Sequence, residues 1–232
     1  MSVLMPDDVH QRRYQSDLEY KRKTNEIYAQ AYRFFSSGNT ASLRSDSTTF
    51  FIPVVVHIMH LPQDSVPSDL TSNITDQRVH QAIAYLNQAF QDAEPYAGGP
   101  YYSNAGTPSV NTKIEFCLAV VDTNGNSTTG INRYPTELSN LKRDEFCSQG
   151  GTNDECLKSY SFWNSRDYLN IWLVNEICDN SASNNCGIPG YAYQAGAHGK
   201  SYDGAVIDVE YFGADPGGNT VVVHQIGHYL GL

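Results

Sequence analysis

Several features that mark other classes of protein are missing from this 232-residue sequence. No apolar run approaches the roughly 20 residues that a membrane-spanning helix requires. Basic residues are also scarce, because 15 lysines and arginines face 25 aspartates and glutamates, for a formal net charge of -10. Recognition of phosphate needs clustered basic side chains, so this balance argues against nucleic acid as a partner. The sequence therefore predicts a soluble protein with one main domain and no membrane span.

Cysteine is absent from the first half of the chain. Two pairs in the second half close short polar loops, Cys147 with Cys156 and Cys178 with Cys186. Such loops can be closed by disulfides, which persist in oxidising compartments, so we expect a secreted or extracellular protein. Five reduced thiols in a cytosolic protein are the alternative. If the two disulfides form, Cys117 is left over, either as a buried free thiol or as the partner of a cysteine outside this sequence.

The charge is divided unevenly between two segments. Residues 1–44 hold seven basic and five acidic side chains, whereas residues 45–232 hold eight and twenty. Residues 17–35 have apolar side chains at helical spacing and no Pro or Gly, which predicts a helix, and a Ser/Gly/Asn-rich linker follows. We therefore expect a mildly basic helical arm before an acidic domain. The arm is either solvated or docked on that domain.

Apolar patterns in the acidic domain predict a sheet with helices. Four strands are predicted, in the stretches FFIPVVVHIMHL, IEFCLAVV, YLNIWLVNEI and DGAVIDVEYF. After the first strand, residues 76–90 place apolar side chains at helical spacing, and Thr75 can cap that helix. A final helix carries the stretch TVVVHQIGHYL. The fold class is therefore α/β, with a mixed sheet and a backing helix.

Two histidines in the final helix have the spacing of metal ligands. His224 and His228 are four residues apart and project from one helix face. Zinc in a hydrolytic site typically takes three protein ligands, and none of the other five histidines has ligand spacing from this helix. A bare pair of this kind is more often two ordinary histidines. Here Gly231 also follows His224 by seven residues, as in the metzincin motif H-E-x-x-H-x-x-G-x-x-H.

Six stretches of the sequence indicate one family. They are IPVVVHIMH, IEFCLAVVDTNGNSTTGINR, YLNIWLVNEI, GIPGYAY, DGAVIDVEYFG and NTVVVHQIGHYLGL. These stretches occur in the same order in the pappalysin-family metalloendopeptidases, which residues 48–232 resemble. The resemblance implies a secreted, zinc-dependent endopeptidase that acts on proteins or peptides, often after Arg or Lys, with calcium as a further candidate ion. It also implies a metzincin-type upper subdomain, with a twisted mixed sheet, a backing helix and an active-site helix. The C-terminal subdomain is expected to lie outside this sequence.

The resemblance assigns roles to individual residues. His224 and His228 match the first two zinc ligands, the third histidine ligand is expected beyond the chain end, and Gly231 matches the turn that ends the active-site helix. A rim strand within residues 203–208 would bind substrate by strand addition. The substrate-binding residues would be Gly204, Ala205, Val206 and Ile207.

Gln225 occupies the position of the general base in this motif. A glutamate there takes a proton from the attacking water, which an amide cannot do, so the chain as given is predicted to be catalytically inactive. Gln is nearly isosteric with Glu, so we favour a deliberate substitution in a zymogen. A natural pseudoprotease that binds peptides or a partner protein is the alternative. An extracellular adhesion domain would leave the histidine pattern as coincidence.

The arm occupies the place of the family's propeptide, an intramolecular partner that lays a cysteine on the zinc. No cysteine precedes Cys117, so Asp7 or Asp8 is the candidate blocking ligand, with two solvated aspartates as the equal alternative. Arg44 and Ser45 in the polar linker are the candidate activation cleavage site, because nicking concentrates in exposed loops. The expected domains are therefore a propeptide-like arm at residues 1–44 and a catalytic domain at residues 45–232.

A short polar stretch resembles part of a calcium loop. Asp122, Asn124 and Asn126 have alternate spacing, but the later bidentate glutamate of a calcium loop is missing. We therefore predict a plain turn at this position.

Overall fold

The N-terminal arm consists of two helices. The computed structural model describes residues 8–36, 48–93, 96, 111–179 and 186–232. Helix α1 (Asp8–Ser16) and helix α2 (Leu18–Ser36) are separated by Asp17, whose side chain accepts a hydrogen bond from the Tyr20 N–H at 3.0 Å. The helix predicted at residues 17–35 is confirmed as α2, and α1 was not predicted. Asp7, Arg44 and Ser45 lie outside the described residues.

A mostly parallel sheet forms the centre of the fold. Its strands are β1 (Phe50–His60), β2 (Ile114–Leu118), β3 (Ile131–Pro135), β5 (Leu169–Val174), β7 (Gly190–Ala192) and β8 (Ala205–Asp208). The strand order is β2-β1-β5-β8-β7, with β3 also paired to β1. All of these pairs are parallel except β7 with β8, which is antiparallel. A separate parallel pair is formed by β4 (Asn140–Lys142) and β6 (Glu176–Cys178). The predicted α/β class and mixed sheet are confirmed.

Three further helices accompany the sheet. Helix α3 (Asp76–Phe90) is capped as predicted, because the Thr75 side chain accepts from the Arg78 N–H at 3.3 Å. Helix α4 (Asn153–Ser159) begins with a capping box, and helix α5 (Thr220–Leu230) carries the two histidines. In the described part of the chain, no helix is long and apolar enough to span a membrane.

The two faces of the sheet bury different partners. Alternate side chains of β1, including Val54 and Val56, pack in a core with α3 and α5. The opposite face buries Trp172 and Val206 in a second core, which also contains Tyr20 of the arm. Tyr20 is only 1% exposed, so α2 contributes a core side chain rather than lying loosely on the surface.

The position of β8 corrects one prediction. Gly204, Ala205, Val206 and Ile207 were expected to form a free rim for substrate, but β8 is hydrogen-bonded to β5 on one side and to β7 on the other. Strand addition needs unpaired backbone groups at an edge, so an interior strand cannot accept a peptide. In this sheet, β7 is the strand at that edge.

Both predicted cysteine pairs form disulfides, Cys147 with Cys156 and Cys178 with Cys186. Cys117 is free and exposed on β2, so the alternative of a buried thiol is wrong, and a partner outside this sequence stays a prediction. An edge strand has one face that neighbouring elements need not cover. The apolar stretch IEFCLAVV did not show that β2 would lie at the edge of the sheet.

His57 is a structural histidine of β1. Its side chain is fully buried, its Nε2 lies 3.0 Å from Asn170 Oδ1, and its ring stacks on Trp172. Burial lowers the pKa of His57 to about 4. The folded state therefore holds this ring neutral over a range of pH in which the unfolded chain protonates it.

We expect this histidine to make stability depend on pH. Below pH 6.5, the ordinary pKa of histidine, the ring is protonated in the unfolded chain but stays neutral in the folded protein, so stability falls as the pH drops towards 4. The free energy of unfolding of the parent should fall by about 3 kcal/mol, and His57→Gln should not show this loss. Urea denaturation of both proteins at several pH values measures the difference. Identical pH slopes would contradict it.

Candidate active site

Helix α5 is fixed against the sheet through one face. Val222 and Ile226 are completely buried in the core shared with α3. The helix follows Asn219, whose buried side chain donates to the Ala82 carbonyl at 3.2 Å and accepts from the Gly213 N–H at 3.0 Å. At its other end Gly231 has a φ of 85°, a left-handed conformation that suits glycine and ends the helix as predicted. These anchors determine which way the remaining face of α5 points.

That remaining face brings His224 and His228 together. Their Nε2 atoms are 3.0 Å apart and their ring planes are inclined by 79°. Zinc binds histidine nitrogen at about 2.0–2.1 Å, so one ion can contact both atoms. The pKa of His224 is lowered, first by burial and then by repulsion from His228. A lowered pKa favours the neutral imidazole that a metal requires. The pair therefore fits a zinc ion.

Gln225 lies between the histidines and the edge of the sheet. It is 6% exposed, and its Oε1 has no hydrogen-bond partner among the described residues. A Cβ atom placed on Gly190 of β7 would lie 3.4 Å from Gln225 Cγ. Gln225, which the sequence predicts at the position of the general base, therefore lies directly beside the edge strand β7.

The other predicted site residues lie on different elements. Ala205 to Ile207 belong to the interior strand β8, Gly204 immediately precedes this strand, and Asp8 is the first residue of α1. In the loop after β2, the Asp122 carboxylate accepts from the backbone N–H groups of Asn124 and Asn126, both at 2.8 Å. That carboxylate is used to build a plain turn, as predicted.

One buried histidine of the arm received no role in the sequence interpretation. His10 of α1 is buried, and its Nδ1 lies 2.7 Å from the Tyr20 hydroxyl. The pKa of His10 is lowered, first by burial and second because His228 repels the charged ring. No spacing rule relates His10 to the motif in α5, because the docking of the arm on the domain is a tertiary contact.

The arm is docked on the domain by basic side chains. Arg13 donates to Glu155 at 3.0 Å, and its guanidinium lies 4.0 Å from the centre of the Tyr202 ring. Arg12 pairs with Asp144, and Lys200 of the domain donates to Glu19 of the arm at 2.8 Å. The sequence did not show whether the arm is solvated or docked on the domain. These contacts show that it is docked.

A buried ionic group supports the place where Arg13 docks. The Lys158 ammonium is 0% exposed and lies 2.9 Å from Asp154. The same carboxylate accepts from the Tyr191 hydroxyl at 2.5 Å and from the Tyr193 hydroxyl at 3.1 Å. Because every member is hydrogen-bonded, the group provides a rigid surface on which the Arg13 side chain packs. Tyr191 belongs to β7, so the arm lies at the edge strand itself.

The sheet, the terminal helix and its convergent histidines define a metalloprotease-like fold of the metzincin type. A scan against protein-family models gives no match, and no curated protein matches in sequence. Solved structures do match. The chain is 30% identical to mature mirolysin of Tannerella forsythia in complex with a cleaved peptide, with a TM-score of 0.57, over 79% of this chain and 64% of that one.

Two further structures agree with this match. Mirolysin in complex with compound 9 is 29% identical, with a TM-score of 0.56, over 79% of this chain and 63% of that one. A Glu-to-Ala mutant of Tannerella forsythia promirolysin is 28% identical, with a TM-score of 0.58, over 92% of this chain and 67% of that one. The chain thus spans just under two thirds of the mature mirolysin structures. The predicted resemblance to pappalysin-like metzincins is confirmed.

The docking of the arm depends on a glycine in the 3-10 turn Ala195–Ala197. A Cβ atom on Gly196 would lie 2.0 Å from Thr24 Oγ1 and 2.8 Å from the Tyr20 carbonyl oxygen, both in α2. Contacts this short cannot be kept, so any side chain at this position would push α2 away.

We therefore expect Gly196→Ala to loosen the arm without unfolding the domain. An overpacking cost of about 1–3 kcal/mol would raise the rate at which trypsin cleaves within α2 by about tenfold. Gly218→Ala is the matched control, because its Cβ would be no closer than 3.7 Å to any neighbour. Equal cleavage rates in the two variants would show that the close approach is unimportant.

Proposed function

We propose that this chain is the zymogen form of a zinc-dependent endopeptidase. The observation that carries the proposal is the pair of Nε2 atoms 3.0 Å apart on a helix of a mirolysin-like fold. The turn at Gly231 directs the chain away from this helix, and the third histidine ligand is expected beyond Leu232. Three ligands of this kind leave one position for water, as catalytic zinc sites require.

The residues around the pair suit peptide hydrolysis. We infer that in the mature protein a substrate adds as a strand beside β7, where backbone hydrogen bonds hold it beside Gln225. Zinc, when bound, supplies the Lewis acidity that activates a water molecule for attack on the peptide carbonyl. The Gln225 amide can hold that water but cannot accept its proton, so this chain should bind peptides better than it cuts them. Cleavage after Arg or Lys and a calcium requirement rest on the resemblance alone.

The arm is proposed as the propeptide, with residues 1–44 as pro-segment and residues 45–232 as the catalytic domain. Support comes from the comparisons, because the match with promirolysin extends over 92% of the chain and the matches with mirolysin over 79%. The packing of the arm beside β7 supports it as well, since Tyr20 of α2 shares a core with Tyr191 of that strand. Activation by cleavage between Arg44 and Ser45 remains part of this proposal.

We further propose that the protein is secreted or extracellular. Its two disulfides support this location, because such bonds persist in oxidising compartments and are rare in the cytosol. A natural pseudoprotease remains the second candidate, and the observation that favours it is Gln225 itself. Such a protein would use the same edge strand to hold a peptide without cutting it.

The zinc site can be tested without activity. We expect the chain to bind one equivalent of zinc, and His224→Ala or His228→Ala to weaken the binding at least a hundredfold, about the effect of losing a direct ligand. Competition with a chromophoric chelator measures the affinity. His80→Ala is the control, since His80 is an exposed histidine of α3. Zinc binding that survives both substitutions would refute this site.

Activity should return with the carboxylate. Gln225→Glu, in a chain that continues past Leu232 with its natural sequence and has lost its arm, should cleave an Arg-containing quenched peptide. The gain over the Gln225 parent should be about 10²–10⁴-fold, the usual contribution of a general base. Cleavage should stop when a zinc chelator is added. No cleavage at stoichiometric zinc would favour the peptide-binding pseudoprotease.

A further inference from the structure

A cavity lies where three parallel strands begin, at the end of the sheet where α5 terminates. Its volume is about 360 Å³, and it is lined by the first residues of β1, by residues just before β5 and β8, and by the last residues of α5. Its apolar wall includes Ile52, Leu169 and Leu230. Among the described residues, neither strand β7 nor the two histidines of α5 line it. The cavity is therefore separate from the candidate active site.

A buried carboxylate forms part of this lining. The Asp203 side chain is only 1% exposed, and neither of its oxygens has a hydrogen-bond partner among the described residues. The Nδ1 atom of His198 lies 3.4 Å from Oδ2 of Asp203, and the His198 side chain is 53% exposed. A carboxylate that is removed from water and accepts no hydrogen bond is costly, because nothing replaces its hydration. Asp203 therefore lacks the donors that would compensate for its burial.

The buried ammonium of Lys158 is committed to other groups. Its Nζ lies 2.9 Å from Asp154 and donates to the Tyr202 carbonyl at 3.0 Å. Together with the cavity carboxylate, these buried side chains combine two acidic groups with one basic group. At the rim, the exposed side chains of Arg166 and Asp167 carry opposite charges, so they leave this balance unchanged. The cavity thus has an excess of one acidic group, which a cation would neutralise.

We propose that this cavity binds an alkylguanidinium group, such as an arginine side chain, with Asp203 as its anion. The two unpartnered oxygens of one carboxylate match the two parallel N–H donors that a guanidinium presents. The apolar wall suits the hydrocarbon stem behind the charge. A calcium ion would need about six to eight oxygen ligands. Asp203 is the only buried carboxylate in the described lining, so the cavity fits an organic cation instead.

The exposed side chain of His198 controls access to the carboxylate. Both Asp203 oxygens are buried, so a guanidinium reaches them only when the His198 ring turns aside. An exposed side chain changes its rotamer readily, so this movement is not a barrier to binding. We therefore expect His198→Ala to bind the cation at least as tightly as the parent. The inference does not rest on the proposed function, since the cavity needs no zinc.

The experiment titrates the full 232-residue chain with butylguanidinium in a calorimeter. Asp203→Asn keeps the shape of the side chain but removes its charge, and we expect it to weaken binding by about 10–100-fold, the effect of losing a hydrogen-bonded ion pair. Asp167→Asn is the matched control, because Asp167 lines the same cavity but is exposed, and it should bind like the parent. Butylurea, which has nearly the same shape without the charge, should bind much more weakly.

Urea denaturation shows whether Asp203 already has a partner inside the fold. Without the cation, Asp203→Asn should be at least as stable as the parent, because the substitution removes a buried charge that lacks donors. A clear loss of stability would mean that the fold itself neutralises the carboxylate, and this result would overturn the inference.

The titration also distinguishes two sources of the guanidinium. N-acetylarginine methylamide carries the group on a peptide backbone. If it binds more tightly than butylguanidinium, the ligand is an arginine side chain of a peptide, and if it binds more weakly, the ligand is a small free guanidinium compound. Equal binding of butylguanidinium by the parent and Asp203→Asn, or of butylguanidinium and butylurea by the parent, would refute the site. Loss of binding in a chain that continues past Leu232 with its natural sequence would refute it as well, because the cavity would then be filled from within the protein.

Discussion

The packing of one face of α5 against the sheet is the constraint on which the site depends. Val222 and Ile226 can be buried only if this face turns inward, and the Asn219 side chain ties the start of the helix to α3. His224 and His228 then share the opposite face, four residues apart, so their nitrogens converge without help from any other element. The free energy that orients the two histidines therefore comes from the apolar core, and their convergence does not depend on a metal.

The edge of the sheet supplies the second half of the site. Among the described residues, the antiparallel strand β7 lies at the edge of the sheet, close to the residue between the histidines. A free edge attracts any extended chain, which is a hazard for a protein in solution. Here the arm packs beside this strand, fixed by Tyr20 in the core that also contains Tyr191 of β7 and by Arg13 above a buried ionic group.

The charge of the two segments fits this arrangement. A mildly basic arm packs on an acidic domain, but exposed ion pairs by themselves contribute little to the free energy of docking. The larger contribution to docking comes from apolar and aromatic contacts, such as Tyr20 in the core and the Tyr202 ring beneath Arg13. Ion pairs then fix the register of a helix that the aromatic contacts hold.

Much of this protein is determined by local sequence. The strands, the capped helix α3, the disulfide pairs and the spacing of His224 and His228 follow from patterns within a few residues, because periodicity and loop closure are local properties. Strand order is not local. The stretch DGAVIDVEYF predicts a strand equally well at an edge or in the interior, so only the pairing of β8 with β5 and β7 shows that β7 is the edge strand. The docking of the arm through Tyr20 and Arg13 joins residues far apart in sequence, so tertiary structure alone decided that contact.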